Sequence, residues 1–383
     1  MKPLRIAVIA PPWIPVPPPA YGGIEAVVAL LCDELTARRH DVTLFAAPGS
    51  RSAARVCTPL ETAHGEQIGA ACVEADYVGS IYDMVDRAAG DGEPFDVIHD
   101  HSGHTALAMA QRVTPPLVHT LHGAFDEHTR PFYERHGHKG RLVAISDSQL
   151  RAAPRDVQVA ATVFNPMLIE EWPLHEHKED YLLWIGRMDP VKGAHRAIAA
   201  AAQARARLVL AGPVQPGQEE YFAREVEPRV DGRQVVYIGE VGGEQRKQLF
   251  ARARALLMPI RWREPFGLVM TEALACGTPV LAFPEGAASE LVLDGETGYL
   301  VANELEMAEA LGGLEQIDPR RCREDIARRC SVASAAEGYE AVYGAAIAGE
   351  ATNAQPWVRS RAHRQREAAG HTSGARARPL LAT

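Results

Sequence analysis

The sequence is built on a regular alternation of short apolar runs with longer stretches of helical spacing. Residues 24–39 (IEAVVALLCDELTARR) place apolar side chains three and four apart, which predicts a helix between two apolar runs. Strand-like runs that are apolar along nearly their whole length indicate a parallel sheet covered by helices on both faces. The predicted strands of the first half are residues 5–10, 42–47, 96–101, 116–122, 141–146 and 162–166.

The same pattern starts again after the polar segment 170–180 (EEWPLHEHKED). A chain of 383 residues is too long for one ordinary core and suits two domains. We therefore predict an α/β fold of two Rossmann-like doubly wound domains, residues 1–168 and 169–334, and then a helix at 335–349. The second domain has predicted strands at 181–186, 208–212, 235–239, 255–260, 279–283 and 298–301, and predicted helices at 194–206 and 244–253.

Composition narrows the class of protein. Hydrophobic residues make up 46% and charged residues 23%, as in soluble globular proteins, and the net charge of −9 gives no bulk attraction to nucleic acid or anionic membranes. Six scattered cysteines without a C-x-x-C pair favour reduced thiols and a cytoplasmic location. No signal peptide or membrane-spanning run is expected, although peripheral membrane contact stays open. Residues 350–383 are basic and aperiodic, which predicts a disordered tail.

The first strand-to-helix turn lacks the G-x-G-x-x-G of dinucleotide-binding folds. It is a Pro-rich loop that ends in Gly22 and Gly23 at the predicted start of a helix. Glycines there let backbone N–H groups approach an anion. The alternative is a flexible hinge before the helix.

A second candidate site follows the predicted strand 181–186, in GRMDPVKG (186–193). Ligands bind at the carboxyl ends of strands in open α/β sheets. Arg187 and Lys192 there could neutralise a diphosphate, the first as a fork and the second as a point charge. The alternative is a pair of solvated cations on a surface turn.

Two carboxylates, Glu264 and Glu272, lie in the apolar segment EPFGLVMTEALACGTPV. Pro265 disfavours helix at Glu264, so we predict Glu264 on a loop, a helix from about Leu268, and Glu272 one turn inside it. The exposed N–H groups of Phe266, Gly267, Leu268 and Val269 would form an anion site between them. The carboxylates would then bind sugar hydroxyls; a turn cap and a helix-dipole charge are the alternatives.

Histidines cluster at two predicted strand ends. His99, Asp100 and His101 superficially resemble a zinc-hydrolase cluster, but neighbours on a strand alternate faces, so at most two could share a metal. His122 ends the predicted strand 116–122 and would point toward an interdomain cleft, where an imidazole could donate to a sugar.

Together these motifs resemble family 4 glycosyltransferases. The resemblance covers about residues 4–349 and is carried by G-R-x-x-x-x-K-G, E-P-F-G-L-x-x-x-E-A-L-A-C-G-x-P-V and SELVLDGETGYLV. It implies the GT-B fold, two Rossmann-like domains facing a cleft, and retaining transfer from a nucleotide-diphosphate sugar to a hydroxyl acceptor. No metal or cofactor is implied, and the family's final helix crosses back to the N-terminal domain.

The resemblance also implies roles for individual residues. Gly22 and Gly23 would adjoin the diphosphate and acceptor, and His122 the donor sugar. Arg187 and Lys192 would hold the diphosphate and stabilise the leaving group. The remaining positions would bind the sugar hydroxyls (Glu264), the phosphate (backbone of Phe266, Gly267, Leu268 and Val269), the ribose (Glu272) and the base (Glu240 and Val241).

The donor and the reaction have alternatives. UDP-glucose is the first expectation for the donor and GDP-mannose the second. A GT-B phosphorylase or sugar-phosphate synthase would share the same sites, a non-catalytic nucleotide-sugar binder would share the ligand, and a metal hydrolase would use the histidines. The acceptor and oligomeric state do not follow from these motifs.

Overall fold

A computed structural model describes residues 2–19 and 22–350; the predicted tail at 350–383 lies outside them apart from Glu350. The first half of the chain folds into one parallel sheet whose strand order is β3-β2-β1-β4-β5-β6-β7. Its strands are β1 Arg5–Ile9, β2 Asp41–Phe45, β3 Arg55–Cys57, β4 Val97–Asp100, β5 Leu117–Leu121, β6 Arg141–Ala144 and β7 Val159–Thr162. Its helices are α1 Gly23–Ala37, α2 Ala71–Gly90, α3 His104–Ala108, α4 Thr129–His136, α5 Asp147–Ala152.

The second half forms another parallel sheet, with strand order β10-β9-β8-β11-β12-β13. Its strands are β8 Leu182–Ile185, β9 Leu208–Ala211, β10 Val235–Tyr237, β11 Ala255–Met258, β12 Val280–Ala282 and β13 Gly298–Leu300. Its helices are α6 Ala194–Gln203, α7 Glu219–Tyr221, α8 Gly243–Arg252, α9 Leu268–Ala275, α10 Ala288–Leu291, α11 Glu304–Ala310 and α12 Pro319–Cys330. The predicted fold of two doubly wound parallel sheets is confirmed.

Each sheet is apolar on both faces because helices cover both sides. A last helix, α13 Val332–Ile347, packs in the core of the first sheet beside α1. Tyr339 and Tyr343 of α13 are buried there. Burial of an aromatic side chain contributes on the order of 4–6 kcal/mol at about 25 cal/mol per Å², so these two residues fix α13 on the first domain.

One strand prediction is wrong. The last strand of the first sheet is β7, whereas residues 163–166 of the predicted strand 162–166 form a loop. Their apolar character has another cause, because Phe164 packs against Phe266 of the second domain with ring centroids 5.6 Å apart. The short edge strand β3 was not predicted, since its residues RVC carry no apolar run.

Candidate active site

The loops that follow the central strands of the two sheets enclose a cavity of about 330 Å³. The strand order reverses between β1 and β4 in one sheet and between β8 and β11 in the other, and such switch points are where open α/β sheets bind ligands. Every site residue predicted from the sequence lines this cavity: Gly22, Gly23, His122, Arg187, Lys192, Glu240, Val241, Glu264, Phe266, Gly267, Leu268, Val269 and Glu272.

The paired glycines lie where the first loop meets helix α1. Gly22 precedes the helix, and its carbonyl accepts the Ala26 N–H at 3.0 Å. A Cβ added to Gly22 would lie 2.6 Å from Cβ of Pro18, and one added to Gly23 would lie 3.1 Å from Cδ1 of Leu268 in the second domain. The missing side chains therefore let the helix start approach both the Pro-rich loop and the opposite domain.

Arg187 lies just after β8 and has unused hydrogen-bonding capacity. Its Nη1 donates to Oε1 of Gln215 at 3.2 Å, while its Nε is buried without a partner among the described residues. The Arg187 guanidinium also makes no ion pair with any residue that the structure describes. A buried donor without a partner is costly, so this group is suited to an anion that enters the cavity.

Lys192 and Glu264 contact each other, although the sequence predicted separate roles for them. The Lys192 ammonium donates to Oε2 of Glu264, and the Trp262 indole N–H donates to the same oxygen at 3.0 Å. The ammonium also lies 4.5 Å from the centroid of the Trp262 ring, within range of a cation–π contact. These three side chains form one charge-paired unit at the cavity wall.

The local geometry predicted for the two glutamates is confirmed. Glu264 lies on the loop after β11, α9 begins at Leu268, and Glu272 is one turn inside α9. Gly267 takes a left-handed conformation (φ 88°) before the helix, and the residues at this helix start line the cavity. Glu272 accepts a hydrogen bond from the guanidinium of Arg246 in α8.

His122 follows β5 directly and contacts a second imidazole. Its Nε2 lies 2.9 Å from Nδ1 of His101, which is buried. Burial, with repulsion from His119, lowers the pKa of His122 to about 3, and burial also lowers the pKa of His101 well below its usual range. Both imidazoles are therefore neutral near pH 7 and act as hydrogen-bonding groups.

Hydroxyl groups surround the neighbouring imidazole of His99. Its Nε2 lies 2.8 Å from Oγ1 of Thr120, and its Nδ1 lies 2.7 Å from the Tyr343 hydroxyl of α13. Across residues 2–19 and 22–350, no three His, Cys, Asp or Glu side chains are grouped as a metal site would require. The described histidines are therefore held by hydrogen bonds to neighbouring side chains.

Two family models match consecutive parts of the chain. The model described as "Glycosyltransferase Family 4" matches residues 21–160, and "Glycosyl transferases group 1" matches residues 169–323. Together they span more than half of the sequence, one model on each domain. The chain belongs to glycosyltransferase family 4. It is an enzyme of the glycosyltransferase type with the GT-B fold, and its donors are sugar nucleotides.

Three known proteins illustrate what this glycosyltransferase is similar to. The glycogen synthase of Mycobacterium tuberculosis is 26% identical over 75% of this chain and 80% of its own length. The crystal structure of a glycosyltransferase involved in avilamycin A biosynthesis is 28% identical, covers 92% of this chain and all of its own, and has a TM-score of 0.69. Anabaena HepE in complex with UDP-glucose is 20% identical, with a TM-score of 0.65 over 89% of this chain and all of its own.

The glycosyltransferase site contains residues that the sequence reasoning missed. Arg246 lines the cavity and pairs with Glu272, and Trp262 contacts both Lys192 and Glu264. The sequence does show an arginine in the first turn of α8 and a tryptophan two residues before Glu264. Neither could be assigned, because their partners come from other parts of the chain.

No helix within the described residues is long and apolar enough to cross a membrane.

Proposed function

We propose that the enzyme is a retaining, metal-independent hexosyltransferase that uses UDP-glucose, with GDP-mannose as the second candidate, and a hydroxyl acceptor. The observation that carries the proposal is the buried Nε of Arg187, which has no partner among residues 2–19 and 22–350 and shares the cavity wall with Lys192 and the start of α9. Two cations and a helix N-terminus at one place suit a diphosphate and supply positive charge from the protein itself.

The diphosphate is proposed to lie between Arg187, Lys192 and the first turn of α9. There, the Nε of Arg187 donates to a phosphate oxygen, and Lys192 exchanges part of its contact with Glu264 for another phosphate oxygen. Gly23 lets the N-terminus of α1 approach from the opposite domain. Electrostatic stabilisation of the departing charge is commonly the largest single catalytic contribution in such a site.

The neutral parts of the donor are proposed to occupy the two carboxylate sites. Glu264 binds the sugar hydroxyls, and the neutral imidazole of His122 hydrogen-bonds to the same sugar. Glu272 binds the ribose diol while Arg246 balances its charge, so the carboxylate does not repel the diphosphate. Glu240, which is exposed, and Val241 lie beside the base.

The proposed reaction breaks the bond between the anomeric carbon and the oxygen of the distal phosphate. The bonding electrons move onto that phosphate oxygen, whose charge Arg187 and Lys192 stabilise. The acceptor hydroxyl attacks the anomeric carbon from the same face from which the leaving group departs. The proton of the acceptor hydroxyl passes to the departing phosphate oxygen. The bonds, charges and protons of this reaction balance without a nucleophile from the enzyme.

UDP-glucose is placed first because HepE, which has the same fold, binds it. A thermal-shift screen against UDP, GDP, ADP and dTDP sugars tests the donor, since a ligand that binds only the folded state raises the midpoint. The screen is run with and without EDTA. Release of nucleoside diphosphate separates transfer from phosphorolysis, and NMR of the product's anomeric centre tests retention. No shift with any donor, or loss of the shift in EDTA, contradicts the corresponding part of the proposal.

A further inference from the structure

Trp262 contacts both charged groups that the reaction needs, yet it does not line the cavity. It lies half-buried on the loop after β11, two residues before Glu264. Its indole N–H donates to Oε2 of Glu264 at 3.0 Å, and its ring lies 4.5 Å from the Lys192 ammonium. A single rigid side chain therefore touches the carboxylate proposed for the sugar and the cation proposed for the diphosphate.

The backbone around this unit is also fixed. The Trp184 indole N–H donates to the Lys192 carbonyl at 3.2 Å, and the Arg261 N–H donates to the Val191 carbonyl at 2.9 Å. Arg196 joins the two loops, since its Nε donates to the Pro259 carbonyl at 2.6 Å. The loops that carry Lys192 and Trp262 are thus joined by hydrogen bonds, including those from Nη2 of Arg196 to the Pro190 and Val191 carbonyls.

The proposed donor site would require the contacts of this unit to change. The Lys192 and Glu264 side chains are only 17% and 11% exposed, so loss of their ion pair would leave two poorly solvated charges. In the proposed complex, a phosphate oxygen takes over part of the Lys192 contact, and the sugar hydroxyls take over part of the Glu264 contact. The indole contacts need not change during this exchange, because the N–H and the ring face are used by different groups.

We propose that Trp262 is a positioning residue for glycosyl transfer. Its N–H orients Glu264 toward the donor sugar, and its ring face orients Lys192 toward the diphosphate. This inference rests on the proposed function, because it assigns the sugar to Glu264 and the phosphate to Lys192.

Two substitutions separate the contacts. Trp262→Phe keeps an aromatic face and removes the N–H, whereas Trp262→Leu removes both. Calorimetry measures the Kd of UDP, which lacks the sugar, and of UDP-glucose, with the GDP and GDP-mannose pair run in parallel. We expect Trp262→Phe to weaken UDP-glucose about tenfold, as for a lost hydrogen bond to a charged group, and to change UDP less than about twofold. Trp262→Leu should also weaken UDP, by about threefold.

A purely structural role would lower the unfolding temperature without changing the ratio of the two Kd values. An unchanged ratio in Trp262→Phe overturns the inference while the donor site stands. A wild-type protein that binds neither nucleotide pair refutes the donor site and the inference together. As a second measure, Trp262→Phe added to Glu264→Ala should cause no further loss, because alanine at 264 has already removed the acceptor of the indole N–H. Losses that multiply in the double variant also overturn the role.

Discussion

Gly286→Ala should disable the site without replacing any of its charged residues. Gly286 lies on the loop between β12 and α10 with φ +57°, and a Cβ there would overlap the backbone nitrogen and carbonyl oxygen of Glu264. The adjacent Ala287 N–H donates to the Glu264 carbonyl at 2.9 Å. The position of the Glu264 backbone thus depends on a residue without a side chain at 286.

Gly286→Ala should lower both the folding stability and the catalytic rate. Alanine in the left-handed region costs roughly 1–2 kcal/mol of folding free energy. To remove the overlap, Glu264 must also move by about 1 Å, and a displacement of that size in a catalytic constellation reduces the rate about 100-fold. The backbone strain lowers stability, and the displacement of Glu264 lowers kcat/KM.

Gly295→Ala is the matched control. Gly295 has φ +73°, and a Cβ added there meets no atom within 4 Å. Urea denaturation should show a loss of roughly 1–2 kcal/mol in Gly295→Ala and at least that loss in Gly286→Ala. Release of nucleoside diphosphate from the donor should fall about 100-fold only in Gly286→Ala. If kcat/KM of Gly286→Ala stays within about threefold of the control, the argument from the Glu264 backbone is refuted.

Three further outcomes are expected. Lys192→Ala should lower kcat about 100- to 1000-fold, and wild-type turnover would exclude the leaving-group role. The same variant should also lower the unfolding midpoint, because Glu264 loses its ion pair at a poorly solvated position. Arg246→Ala leaves Glu272 unpaired beside the nucleotide, so calorimetry should show about tenfold weaker UDP binding, with a smaller loss for Arg246→Lys; equal affinities would contradict the pairing role. His101 and His122 have lowered pKa values in the folded protein, so below about pH 6.5 the unfolded chain binds more protons. Stability should then fall as the pH decreases, by about 1.4 kcal/mol per pH unit for each imidazole that stays neutral; urea denaturation showing equal stability at pH 7.5 and 5.5 would contradict this.

Local pattern was enough to predict most of the architecture. A strand buried on both faces must be apolar throughout, and a helix packed on one side repeats every three to four residues, so both leave a signature in consecutive residues. The loop position of Glu264 and the start of α9 followed from Pro265 and Gly267 for the same reason. The strand predicted at 162–166 was wrong because Phe164, after Thr162, is buried against the opposite domain and not within a sheet.

The sequence by itself determined the two sheets, the strand-end positions of the charged residues and the family to which they belong. Only the tertiary structure decided which of these groups meet. Lys192 and Glu264 are 72 positions apart, and Arg246 and Glu272 are 26 apart. Such contacts depend on how neighbouring strands place their loops at one sheet edge. The physical reason is that a residue's chemistry is local, whereas its partner is set by long-range packing.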